Sequence, residues 1–362
     1  MIDASSVTVS GPPAARRLVP LEDMAPIGLA LAYAVTIHLF ATSIGADDGI
    51  ALGNYLPYFF LGFVLCSSAG LAALMLWTLV RDRPERLLPQ VRRQLLAMGC
   101  SGPALLRSVP VLILLPLFLS VFSSYKALIP TVRPFDWDRS FAALDRALHG
   151  GVDSWMWLQP ILGSPWITFA VDALYHPVWS IAFVAVWCWQ ALDRRDPVLR
   201  LQFLLAFLMV WILLGSIGAT FMSSAGPCYY GRVGGGTDPF APLLAYLAEV
   251  HQRMPLTSAV AQDALWRAYV SGFVGAGSGI SAMPSVHVAT TLLFVLLGRR
   301  HSRSLALGFG ALLAVVLVGS VHLGWHYAVD SYAAIVVTVP IWLIAGWAAR
   351  RIAPTIGAGS SP

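Results

Sequence analysis

Two histidines stand in short polar stretches at the mouths of apolar runs, His287 in SAMPSVHVA (Ser281 to Ala289) and His326 in GWHYAVD (Gly324 to Asp330). An imidazole can attack phosphorus or carbon, give up a proton, or take one near neutral pH. Asp330 follows His326 by four residues, a spacing that sets both on one helix face one turn apart. A carboxylate so placed keeps one imidazole nitrogen protonated and leaves the other free as a nucleophile. Pro284 is expected to open a helix with Ser285 and His287 in its first turn. Unpaired backbone NH groups there attract an anion, which at a lipid surface is most simply a phosphate, with His287 beside it as proton donor.

Two further polar stretches accompany them. In YKALIPTVRPFDWD, Lys126 and Arg133 are separated by six residues and suit phosphate oxygens, the lysine as a point charge and the arginine as a planar fork. The other is SAGPCYYGR, Ser224 to Arg232. Taken singly, each of these residues also fits an anchor at a membrane boundary. Their value lies in the combination.

The elements that must hold them are membrane helices. The chain has 362 residues, of which 57% are apolar and 11% charged, and its mean hydropathy is +0.72. A soluble domain carries about a quarter charged residues. Stretches near 27–45, 55–80, 104–124, 165–192, 201–222, 284–298, 304–322 and 327–349 are apolar enough to span a bilayer, for which about 20 residues are needed. With the N-terminus inside, the inner segments hold Arg16 and Arg17; Arg81, Arg83, Arg86, Arg92 and Arg93; Arg194, Arg195 and Arg200; Arg299, Arg300 and Arg303; and Arg350 and Arg351. The outer loop at Gly45 to Asn54 carries Asp47 and Asp48 instead. Both termini are therefore expected in the cytoplasm, and all four polar clusters fall on the outer face, though the topology argument made no use of them.

Two outer segments are long. Lys126 to Ser164 should contain a short helix with Asp138 as its cap, Phe141, Leu144 and Leu148 on one face, and Gly150 and Gly151 ending it. Ser223 to Gly279 holds apolar-periodic pieces near Leu243 to Val250 and Leu256 to Val270, expected to lie on the membrane surface or cap the bundle. Inside the spans, Asp172 and His176 are four apart and read either as a structural pair or as part of an acceptor site. His38 and His322 read as interfacial, and Trp155, Trp157, Trp166 and Trp325 as an aromatic belt. Tyr229, Tyr230 and Arg232 are candidate headgroup contacts, although Gly226 and Pro227 alone explain a turn there. Cys66, Cys100, Cys188 and Cys228 lack paired spacing, so neither a metal site nor a disulfide framework is expected.

The motifs Lys-x6-Arg-Pro, Pro-Ser-x-His and Gly-x-His-x3-Asp, in that order, resemble the three-part signature of the type 2 phosphatidic acid phosphatase superfamily. More narrowly, IPxxxPFxWD followed by SAMPSxHxA and HYxxD resembles the branch of inositol phosphorylceramide synthases, the aureobasidin A targets. The resemblance implies an all-α membrane bundle of about eight helices. A cytoplasmic tail (1–26) would precede two added helices and a basic loop (27–99), a six-helix catalytic domain (100–349) and a cytoplasmic tail (350–362). By resemblance, His326 attacks phosphorus to give a phosphohistidine, Asp330 orients it, His287 is the general acid, and Lys126, Arg133 and Ser285 bind phosphate. No metal or other cofactor is implied. The partners would be membrane lipids, a phospholipid donor and a lipid alcohol, with no nucleic acid.

The sequence departs from that pattern at two places. Phosphatases of the superfamily carry Ser-Arg before the final histidine, where Gly319 and Ser320 stand here, so one phosphate arginine is missing. A site with one cation fewer suits a singly charged phosphodiester better than a monoester. Val286 replaces the glycine of Pro-Ser-Gly-His. The leading expectation is a phosphotransferase moving a headgroup such as inositol phosphate from phosphatidylinositol onto ceramide or a diacylglycerol-like alcohol. A lipid phosphatase using the same site is the alternative, and a catalytically silent membrane carrier a third.

Overall fold

The computed structural model describes residues 21–46, 49–98, 101–234 and 236–357. Arg16, Arg17, Asp47, Asp48 and Cys100 lie outside them. The chain is an all-α polytopic membrane protein, with no strand among the described residues. Its helices are α1 (Leu21–Ser43), α2 (Leu56–Arg81), α3 (Leu87–Ala97), α4 (Gly102–Val132), α5 (Asp138–Leu148), α6 (Ser154–Leu162), α7 (Pro165–Ala173), α8 (Trp179–Leu192), α9 (Pro197–Ile212), α10 (Ala219–Phe221), α11 (Tyr230–Val233), α12 (Ala241–Arg253), α13 (Thr257–Ser271), α14 (Val286–His301), α15 (Arg303–His322) and α16 (Ala328–Gly357). A π turn, Leu174–Val178, joins α7 to α8, and another, Leu213–Gly218, joins α9 to α10.

Among the described residues seven helical stretches are long and apolar enough to cross a membrane: Glu22–Ser43, Leu56–Arg81, Gly102–Val132, Pro165–Leu192, Pro197–Phe221, Arg303–His322 and Ala328–Ala353. The eighth expected span, 284–298, becomes the 16-residue α14. It is shorter than those seven, and Arg299, Arg300 and His301 form its last turn. α14 runs through the middle of the bundle, packed on α15, α16 and α9 with Val288, Ala289, Leu293 and Leu297 fully buried. It also begins two residues later than expected: Ser285 is its N-cap, accepting from Val288 N at 3.5 Å, and Pro284 precedes it.

α1 joins the same core through Ala30, Tyr33 and Ile37, and Tyr33 Oη lies 2.8 Å from Ser216 Oγ. At its start, Asp23 is fully buried and pairs with Arg200 and, at 3.1 Å, with Arg194, which also reaches Glu22 at 3.1 Å. Arg200 is itself buried, its Nε donating to Gln190 O at 2.8 Å. Two arginines counted toward the inner face thus hold the bundle together internally. His301, at the end of α14, packs at a tilt against Trp189 in the last turn of α8, with ring centroids 4.6 Å apart. The basic loops therefore gather at one end of the bundle and His287, at the start of α14, at the other.

Over that second end lie α5, α12 and α13. On α5 the buried side is Asp138, Phe141, Ala142 and Asp145, whereas Leu144 and Leu148 are exposed. The expected apolar face is therefore wrong, because buried carboxylates rather than leucines face the protein. Trp137, not Asp138, occupies the cap position. Gly150 and Gly151 do end the helix, Gly151 N donating to Arg146 O. His322 is not interfacial: it is fully buried, with Nε2 2.9 Å from Thr168 Oγ1. Trp157 and Trp166 are exposed, Trp155 is buried, and Trp325 faces an internal cavity.

Candidate active site

His326 sits in the turn between α15 and α16, two residues before α16 begins. It therefore does not share a helix face with Asp330, as the spacing alone suggested, yet the turn brings them together. His326 Nδ1 is 3.2 Å from Asp330 Oδ2, which also accepts from Tyr327 N at 3.1 Å. An ionised carboxylate there fixes the proton on Nδ1 and leaves Nε2 with its lone pair. Nε2 lies 3.3 Å from Ser285 Oγ, and Ser285 N donates to Asp330 O at 3.2 Å, so the starts of α14 and α16 are tied to each other. Behind the histidine, Ser320 O accepts from Trp325 N at 2.9 Å and from His326 N at 3.0 Å.

The turn is also gripped from α5. Asp138 and Asp145, seven residues apart, lie two turns apart on one face. Asp145 Oδ1 accepts from Val329 N at 3.1 Å, capping α16 from outside. Asp138 accepts from Ser224 Oγ, Ala225 N and Gly226 N at 2.8 Å each and from Tyr327 Oη at 2.9 Å. Burial pushes its carboxyl above the usual carboxylate range, against the pull of those four donors. Burial and then the Asp138 charge push the Tyr327 hydroxyl far up, so it stays a donor. Gly226 has φ +93°, and a Cβ there would meet Trp325 O at 2.6 Å. Only glycine lets the SAGP loop lie this close to the histidine turn.

His287 occupies the first turn of α14 between two aromatic rings. Its centroid is 5.2 Å from Tyr175, nearly parallel at 14°, and 4.1 Å from Trp179. Trp179 is held in turn, its Nε1 donating to Thr291 Oγ1 at 2.9 Å. The π turn places Tyr175 and His176 at adjacent positions toward the site; such turns recur at functional sites because they re-aim side chains. His287, His326, Lys126, His176, Tyr175, Tyr229 and Trp325 all line one cavity of about 1030 Å³. Lys126 comes from α4, where Gly279, at φ +91°, presses against its backbone; a Cβ on Gly279 would meet Lys126 C at 2.6 Å.

Other expected site residues fall elsewhere. Arg133 caps α4 with an exposed side chain and is not part of the cavity lining, which leaves Lys126 as its sole Lys or Arg among the described residues. Ser285 is buried against His326 rather than lining the cavity. Asp172 is buried and accepts from Thr257 N at 2.7 Å, Ser258 N at 2.9 Å and Ser258 Oγ, so it anchors the start of α13. His176 Nδ1 stands 3.4 Å from it while its ring borders the cavity. Tyr229 donates to Gln262 O at 2.7 Å, and the exposed Arg232 lies 4.9 Å over the Trp266 ring. Neither Asp138 nor the Tyr175–Trp179 sandwich was singled out for the site from the sequence. The aromatic pair was visible as two rings four apart flanking His176.

A family model described as PAP2 superfamily matches residues 139–344. The match takes in both histidine stretches and α5 apart from Asp138; Lys126 and Arg133 precede it. No curated protein and no solved structure matches the chain.

Proposed function

From the premise that this chain belongs to the PAP2 superfamily, whose members are typically phosphatases or phosphotransferases, we propose that it is a lipid phosphotransferase. It would move a phosphoryl headgroup, inositol phosphate from phosphatidylinositol in the form we favour, onto a lipid alcohol such as ceramide or diacylglycerol. One observation carries this reading: among the described residues the cavity has a single Lys or Arg, Lys126, beside its two reactive histidines. A phosphodiester carries one negative charge and a monoester nearly two, so one lysine matches the diester.

In the proposed reaction His326 Nε2 attacks phosphorus, and the P–N bond forms as the bond to the diacylglycerol oxygen breaks. His287 delivers the proton that this oxygen requires. The acceptor hydroxyl then attacks the phosphohistidine while His287 takes its proton back, and the P–N bond breaks as the new P–O bond forms. Asp330 keeps the Nδ1 proton in place and balances the imidazolium charge. Lys126 and the free NH groups at the start of α14 would hold the phosphate oxygens.

The test offers fluorescent ceramide and diacylglycerol with either phosphatidylinositol or phosphatidate to detergent-purified protein, with His326→Ala as control. A headgroup-bearing fluorescent lipid formed from phosphatidylinositol, and absent with the variant, is the expected result. Free phosphate from phosphatidate with no new lipid would establish hydrolysis and overturn the transferase reading. Equal lipid handling by wild type and His326→Ala would point to a carrier.

A further inference from the structure

The cavity does not end at the histidines. It continues between α2, α4 and α8, each of which lines it over more than two helical turns. On α4 the lining runs from Lys126 down to Leu115, on α8 and its π turn from His176 to Val184, and on α2 from Tyr55 to Ala69. At 1.5 Å per residue these are roughly 16, 12 and 20 Å along the helices. The ionisable groups collect at the shallow end, whereas the deep end is formed by Leu115, Leu119, Phe183, Val184, Leu65 and Ala69.

The α2 contribution follows a helical stripe, Tyr55, Tyr58, Gly62, Cys66 and Ala69, so one face of that helix is turned to the cavity. α2 precedes the family-matched segment. It touches α8 where Gly62 lies beside Val184 and where Cys66 Sγ is 3.9 Å from Ile181 O. Tyr58 and Ile181, at the rim, are exposed on the side that α2 and α8 turn outward. The slot thus opens sideways, onto a surface that in a membrane faces lipid, and reaches about half the depth of a bilayer core.

We propose that α2 forms one wall of a subsite for a hydrocarbon chain of the lipid substrate, taken in sideways from the bilayer while the polar end stays beside Lys126 and the histidines. This rests on the reading of the protein as a lipid phosphoryl enzyme and assigns the N-terminal helices a part in selecting its substrate. A chain entering from the bilayer exchanges one apolar surround for another, so the slot discriminates between chains by length and fit rather than by transfer out of water.

Chain dependence is read with dioctanoyl and dioleoyl diacylglycerol as acceptors, or dioctanoyl and dioleoyl phosphatidate if water is the acceptor, following both lipid product and free phosphate. Ala69→Trp fills the deep end, so a long chain no longer fits, and is expected to lower the dioleoyl-to-dioctanoyl ratio of kcat/KM by about tenfold or more. Leu61→Trp, on the outward side of α2, should leave that ratio unchanged. An unchanged ratio in Ala69→Trp, or an equal fall in Leu61→Trp, overturns the subsite. A second measurement needs no turnover: in His326→Ala protein, dioleoylglycerol should slow N-ethylmaleimide alkylation of Cys66 by about fivefold or more, and an unaltered rate overturns the proposal. Hydrolysis with chain dependence would sink the transferase reading and keep the subsite; a new lipid without chain dependence would do the reverse.

Discussion

Asp138 accepts four hydrogen bonds, from partners 86 to 189 residues away in the chain, and none of them is a catalytic side chain. Its effect on the site passes through Tyr327, the neighbour of His326, and through the SAGP loop that lies against Trp325. Asp138→Ala leaves those buried donors unsatisfied, which should cost about 3 kcal/mol or more of stability and abolish turnover. Tyr327→Phe removes one donor and keeps the ring, and is expected to cost about 1–3 kcal/mol while leaving measurable activity. Thermal unfolding in detergent beside the lipid assay separates the two. Equal stability of Asp138→Ala and wild type would remove Asp138 from the positioning of the turn. His326 and Asp330 were legible because their partnership is local, four residues apart. Asp138 was not, because a lone aspartate before an apolar-periodic segment reads first as a cap.

At the scale of elements, the segment 223–279 over the histidines is a clamp built from short helices. α13 is fixed at its start by Asp172 and reaches the histidine turn twice, through Ser258 Oγ, which accepts from Trp325 Nε1 at 3.2 Å, and Gln262 Nε2, which donates to Leu323 O at 2.9 Å. Asp172→Ala should therefore loosen α13 by about 1–2 kcal/mol, the usual loss of an N-terminal acceptor. It should also lower kcat/KM roughly tenfold through slack at Trp325. Hydrogen exchange across 257–271 together with kinetics checks this, and a kinetic loss without faster exchange would return Asp172 to the substrate. The long apolar helices were readable from hydropathy, which depends on composition alone. That α14 is enclosed by α9, α15 and α16 was not readable, because hydropathy does not distinguish lipid from protein as the apolar partner.

Across the whole molecule the two ends are chemically unlike. One holds the Asp23–Arg194–Arg200 cluster, in which removing Asp23 would leave two arginines without their shared carboxylate; Asp23→Ala is expected to cost about 3–5 kcal/mol and to be visible as loss of folded protein on extraction. The other holds both histidines under α5, α12 and α13. Because Arg194 and Arg200 are used inside the bundle, they contribute less to orientation than their positions in the sequence imply. Other basic residues at that end, among them Arg81, Arg92, Arg93, Arg299, Arg300 and Arg303, would place it in the cytoplasm by the positive-inside rule. The reactive end would then face outward, where a donor headgroup from the outer leaflet meets Lys126. Single cysteines introduced at Thr237 and Ser304, both exposed, test this in a background lacking the four native cysteines. An impermeant maleimide applied to intact cells should label Thr237→Cys at once and Ser304→Cys only after permeabilisation. The opposite pattern would put phosphoryl transfer on the cytoplasmic leaflet, and the charge imbalance between the two ends would then need another cause.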